Sequence, residues 1–134
     1  MLGAIIGDIV GSVYEFDNIK TTDFPFFSQR SIYTDDSIMT VAVAEWLLTD
    51  NQHTHVTLEK IMVRYADAFP FPEGGYGGSF AQWLFRPEGL VDCKTGKVAG
   101  KRLPYNSWGN GSAMRVSPVG WAFGTLEETL EAAK

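Results

Sequence analysis

Three stretches of this chain carry apolar residues at three- and four-residue spacing, a period that commits much of its length to amphipathic helices. Leu2, Ile5, Ile6, Ile9, Val10 and Val13 form the first stripe, and Ile38, Met39, Ala42, Trp46 and Leu47 the second. Leu58, Ile61, Met62, Tyr65, Ala66 and Phe69 form the third. The spacing predicts an opening helix, a helix over Asp35–Leu48, and another that starts near Thr57 and is stopped by Pro70 and Pro72. Residues 105–123 carry a further apolar helical pattern, which Pro118 should kink or break near Ser117. The closing stretch TLEETLEAAK places Thr125 and Glu128 as a capping box, with Leu126 and Leu130 beginning an apolar face. Residues 17–33 and 86–106 have no clear period and read as irregular.

The opening helix has an unusual second face. Gly3, Gly7 and Gly11 recur every four residues, and an interior glycine costs a helix roughly 0.8–1 kcal/mol relative to alanine. Such a bare stripe suits the close approach of another backbone or of a ligand. Asp8, Ser12 and Glu15 stand beside it as helical neighbours. Tight helix packing and a ligand-facing surface both fit this pattern.

At the start of the second helix, Thr34, Asp35, Asp36 and Ser37 also admit two readings. Any one of these side chains can accept the free amide hydrogens of a first helical turn, and acids suit the positive end of the helix dipole. Two carboxylates with a hydroxyl are equally the hard oxygen ligands that magnesium or calcium takes. Neighbours on a helix point about 100° apart, so one acid can cap while the next looks outward. Two glycine-rich runs add to the picture. GGYGG at 74–78 can bring backbone amides against an anion, or act as a hinge or surface loop. Ser107, Trp108, Gly109, Asn110 and Gly111 lead into a helix, which is a favourable place for a phosphate. His53 and His55 have no further ligand nearby in sequence and read as part of a solvated turn.

Composition removes other classes. The 134 residues make one domain's worth of chain, 45% hydrophobic and 20% charged. A net charge of −5 with scattered basic residues argues against a nucleic-acid surface. The single cysteine, Cys93, excludes an internal disulfide and a cysteine-based zinc site, and fits a reducing compartment. The apolar N-terminus lacks a leading basic residue and is interrupted by Asp8, so neither a signal peptide nor a membrane span is expected. The expected location is cytoplasmic.

GAIIGDIVG with Glu15 just beyond it, YTDDS, and SWGNGSAMR occur in an order and spacing that resembles the ADP-ribosylglycohydrolase family, whose members remove ADP-ribose from modified proteins. The resemblance extends over residues 1–123 and implies an all-α fold, an orthogonal helical bundle with two magnesium ions in a cleft. It implies that Thr34, Asp35 and Asp36 are metal ligands and that Glu15 and Asp36 act in catalysis, Glu15 beside the scissile ribose. Gly75, Tyr76 and Gly77 would lie near the substrate's diphosphate. Ser107, Trp108, Gly109, Asn110 and Gly111 would hold a phosphate and the distal ribose, with Asn110 as the polar contact. The implied reaction is magnesium-dependent cleavage of an N- or O-glycosidic bond in an ADP-ribosylated protein or an ADP-ribose-containing small molecule. Family members also carry an Asp-x-Asp-Thr/Ser motif near the C-terminus, and DCKT at 92–95 lacks its second acid. Residues 1–134 therefore read as the N-terminal part of one such domain, truncated, inactive alone, and prone to associate with itself or with a missing C-terminal segment. Two other readings are a non-catalytic ADP-ribose-binding remnant and a helical interaction fragment.

Overall fold

A computed structural model describes residues 1–89, 95–97, 102–105 and 107–134. Cys93, the DCKT stretch up to its threonine, and much of the loop expected at 86–106 lie outside the described residues. Within them the chain is helical, with no strand and one isolated parallel bridge, Thr34 to Glu73. The helices are α1 (Leu2–Gly11), α2 (Asp35–Thr49), α3 (His55–Ala68), α4 (Gly78–Phe85), α5 (Gly111–Met114), α6 (Val119–Ala122) and α7 (Leu126–Ala132). Short 3-10 turns occupy Ser12–Tyr14 and Pro87–Gly89. None of these helices is long and apolar enough to cross a membrane.

The α2 helix is the hub. It packs against α1, α3, α5 and α6, while α4 rests on α3 and α7 on α6. Its Ile38, Met39, Ala42, Val43 and Trp46 are buried together with Ile61, Met62 and Ala66 of α3, Phe80 and Leu84 of α4, and Val119 of α6. Each large side chain removed from water in this way contributes about 1.5–3 kcal/mol. Burial on so many sides explains why Thr40, on the same helix, is also only 1% exposed.

The turn between α2 and α3 is more ordered than its polar composition suggests. Asp50 accepts hydrogen bonds from the Gln52 amide (3.0 Å), the Thr54 amide (2.9 Å) and the Thr54 hydroxyl (2.8 Å). Thr54 in turn caps α3 by accepting from the Thr57 amide. The helix therefore opens at His55, two residues before the position expected from periodicity. His53 adopts a positive φ of 49° and places its ring edge-on to Trp46 (5.4 Å) and Phe123 (5.2 Å). It is a packing residue rather than part of a solvated turn.

Periodicity did not reveal α4, because its eight residues follow directly on the glycine run. Arg102 secures its end, donating from Nε to the Trp83 carbonyl (2.8 Å) and from a terminal nitrogen to the Leu84 carbonyl (2.7 Å). The same guanidinium pairs with Glu59 of α3 at 3.1 Å and lies over the Trp83 ring. Pro118 interrupts the 105–123 pattern as expected, leaving α5 before it and α6 after it. Thr125 caps α7, accepting from the Glu128 amide at 3.2 Å, while its hydroxyl, rather than the Thr125 amide of a full capping box, donates to Glu128 Oε2 at 2.9 Å.

Of the two readings of the α1 glycines, tight helix packing is not realised among the described residues. A Cβ on Gly3, Gly7 or Gly11 would meet nothing within 4 Å. The side of α1 that meets α2 carries buried Val10 and Asp8, and Leu2 and Ile6 stay exposed. No described backbone makes the close approach that the stripe would allow.

Candidate functional site

The first turn of α2 resolves the question of its two acids. Thr34 is the N-cap and accepts from the Asp36 amide at 3.3 Å. The remaining capping comes from α1, where Asp8 Oδ2 accepts from the Thr34 amide (2.9 Å), the Ser37 amide (3.1 Å) and the Ser37 hydroxyl (2.5 Å). Asp8 Oδ1 takes the Thr34 hydroxyl hydrogen at 2.6 Å. Asp36 takes no part in this cap, and Asp35 accepts from its own backbone amide. Both carboxylates are half-buried and line a cleft of about 720 Å³.

That cleft gathers most of the residues singled out by sequence. Glu15, Asp35 and Asp36 stand on its wall with Gly75 and Gly77 of the first glycine run, and with Ser107, Trp108, Gly109, Asn110 and Gly111 of the second. Thr34, the N-cap next to the two acids, is buried, only 4% exposed, and does not itself line the cleft. Tyr76 is not among the lining residues. Its hydroxyl donates to the Phe69 carbonyl at 2.9 Å, and its ring packs against Phe80 and Phe85. Burial, with the nearby Asp35 charge, pushes the Tyr76 hydroxyl up to about 12.

The acids are crowded. Burial, then the charges of Asp36, Glu15 and Asp8, push Asp35 up to about 6. Asp36 is raised by burial and by Asp8 and Glu15. Like charges held together in a partly desolvated space disfavour one another's ionised forms. Among the described residues, Arg115 is the cation that lines the cleft, and its guanidinium lies 4.7 Å from the Phe80 ring centre. Burial lowers the Arg115 pKa, opposed by Tyr105 and by Asp35.

Loop geometry explains the glycines. Gly74 and Gly75 have φ of 77° and 73°, a left-handed backbone that side chains rarely adopt. At Gly74 a Cβ would also sit 2.9 Å from Glu15 Oε2. At the second run the Ser107 hydroxyl accepts from the Gly109 amide at 3.0 Å. Trp108 is left fully exposed at the cleft edge. Asn110 precedes α5 without any side-chain capping bond and lines the cleft.

Sequence reasoning overlooked several of these residues. Phe16, Tyr105 and Arg115 line the cleft, and Asp8, noted only as a neighbour of the α1 glycines, bonds the first turn of α2. Arg115 stands inside SWGNGSAMR, so its place in the motif was the available signal; for Tyr105 there was none. Among the described residues, no group of three or more His, Cys, Asp or Glu side chains is arranged to hold a metal ion.

The sequence profile of the ADP-ribosylglycohydrolase family matches residues 1–134. The chain belongs to that family. The ADP-ribosylhydrolase ARH3 of Xenopus tropicalis is 26% identical over 149 aligned residues, and that of Bos taurus is 27% identical over 154. Mouse ARH3 is 27% identical over 155. Each alignment takes in all of this chain but only 40–41% of the relative, so the chain spans about two-fifths of the length of these hydrolases. No solved structure matches it. The described residues of this family member are helical, with the cleft opening at the first turn of α2.

Proposed function

We propose that this ADP-ribosylglycohydrolase chain forms one wall of a magnesium-dependent site that releases ADP-ribose from a modified protein or a related small molecule. The observation that carries the reading is the meeting in one cleft of Glu15, Asp35, Asp36 and both glycine loops. The donor chemistry fits a hard dication. Asp35 and Asp36 offer carboxylate oxygens, and Thr34 Oγ1, having given its hydrogen to Asp8 and accepted from the Asp36 amide, retains a lone pair. Thr34, Asp35 and Asp36 would hold magnesium, two ions in the completed site, and such ions fix ribose hydroxyls and polarise water when bound.

The chain's own residues supply the rest. Glu15 places a carboxylate beside the position of a ribose whose anomeric carbon gains positive charge as the glycosidic bond breaks. The Gly74–Gly78 backbone can approach a diphosphate without Cβ interference, and Asn110 offers an amide to the distal ribose. Exposed Trp108 offers a flat apolar face at the cleft edge. Residues 1–134 alone do not turn over in this reading. Thr34, Asp35 and Asp36 lie in one helical turn and reach a metal from one side only, whereas two close dications need carboxylates from several.

Calorimetric titration of the 134-residue chain with magnesium and with ADP-ribose tests the reading. Binding of both supports it. Binding of ADP-ribose alone points to a non-catalytic binding remnant, and binding of neither to a helical interaction fragment.

A further inference from the structure

We infer that Asp8 is a positioning residue, which holds the Thr34 hydroxyl and the first turn of α2 so that Thr34, Asp35 and Asp36 present their oxygens to a cation in the cleft. The inference rests on the proposed magnesium reading and adds a residue from another helix to it.

A hydroxyl that binds a cation must turn its hydrogen away from it. Asp8 Oδ1 receives that hydrogen from Thr34 Oγ1 at 2.6 Å, a charge-assisted bond of strong geometry. The Thr34 oxygen is left with its lone pairs for the Asp36 amide and for a ligand. The other carboxylate oxygen, Oδ2, gathers three donors: the Thr34 amide, the Ser37 amide and the Ser37 hydroxyl. The Thr34 and Ser37 amides are groups at a helix start that have no partner within the helix and need a side-chain acceptor. With the cap supplied across 26 to 29 residues of sequence, both acids remain available to the cleft. Carboxylates that orient metal ligands through hydrogen bonds generally change metal affinity 10–100-fold when removed, roughly the range expected here.

Charge and geometry separate cleanly in two substitutions. Asp8→Asn has one acceptor oxygen for two clusters of donors. Whichever way the amide turns, its NH₂ faces either the Thr34 hydroxyl or the three donors at Oδ2. Asp8→Glu keeps the charge but moves the carboxylate by one methylene. Asp50→Asn is the control, because Asp50 is a similar three-bond cap at the α2–α3 turn and does not line the cleft.

The test is magnesium titration of the full chain and these variants, with amide hydrogen exchange at Thr34 and Ser37. The expected result is a loss of magnesium affinity of about tenfold or more in both Asp8 variants, faster exchange at the two amides, and affinity within twofold of the parent for Asp50→Asn. Should Asp8→Asn not fold, Ser37→Ala removes the Oγ bond alone, and a measurable loss of affinity is expected there too. Unchanged affinity in Asp8→Asn or Ser37→Ala overturns the inference. So does retained affinity in Asp8→Glu, which would reduce the role to charge, or an equal loss in Asp50→Asn, which would reduce it to stability. If the parent chain binds no magnesium, the metal reading fails by itself. Amide exchange then decides the clamp: unchanged exchange at Thr34 and Ser37 in Asp8→Asn overturns it and acceleration supports it.

Discussion

Replacing Gly74 by alanine tests how closely the first glycine loop is fitted to Glu15, because Gly75 provides an internal reference. Both glycines have left-handed backbones, φ 77° and 73°, so a Cβ on either carries a similar conformational cost, about 1–2 kcal/mol. The two differ in what the new methyl group meets. At Gly75 there is nothing within 4 Å, whereas at Gly74 the Cβ falls 2.9 Å from Glu15 Oε2 and 3.3 Å from Oε1. Ordinary contact begins near 3.4 Å, so the carboxylate must retreat by at least 3.4 − 2.9 = 0.5 Å. Glu15 is exposed and its side chain flexible, so this retreat adds little to the loss of stability. Denaturant unfolding should therefore find Gly74→Ala and Gly75→Ala destabilised alike, by about 1–2 kcal/mol. The carboxyl carbon resonance of Glu15 should move in Gly74→Ala and hold in Gly75→Ala. In a completed enzyme the shifted carboxylate would lower turnover, since misplacement by about 1 Å can cost on the order of 100-fold. An unmoved Glu15 resonance in Gly74→Ala, or full stability in that variant, would refute the reasoning.

Other outcomes follow from the same geometry. Asn110→Ala should leave unfolding free energy within about 0.5 kcal/mol, because no capping bond is lost, while ADP-ribose affinity falls roughly tenfold, about 1.4 kcal/mol; equal affinity by calorimetry would defeat the contact. Asp36→Asn should weaken magnesium binding steeply with little effect on the melting temperature, and unchanged activity in a complete enzyme would remove Asp36 from the metal site. Hydrogen bonds from Thr54 hold Asp50 down to about 2 from an ordinary 3.8, so its contribution to stability is complete above about pH 4 and is lost as pH falls through 2. The stability difference between parent and Asp50→Asn should shrink across that window, and a difference independent of pH would contradict the assignment. Arg102→Lys should cost about 1–3 kcal/mol by denaturation, since an ammonium cannot reach the Trp83 and Leu84 carbonyls and Glu59 together while stacking on Trp83.

What the sequence determined by itself was local. The stripes on α1, α2 and α3, the stop at Pro70, the break at Pro118 and the Thr125–Glu128 cap arise from interactions between residues within about four positions, and each can be read from spacing. The motifs carried further, marking Glu15, Thr34–Asp36 and Ser107–Gly111 before any of them had a shared location. Only the tertiary structure decided that these segments line a single cleft. It alone decided that Tyr76 turns into the packing beneath that cleft and that the α1 glycines face open space. The paired acids show why. Thr34, Asp35, Asp36 and Ser37 are all competent caps, so nearest-neighbour chemistry leaves the choice degenerate. Asp8 breaks that degeneracy from a different helix, and its four hydrogen bonds exist only because burial of Val10 and the α2 core sets α1 against the first turn of α2.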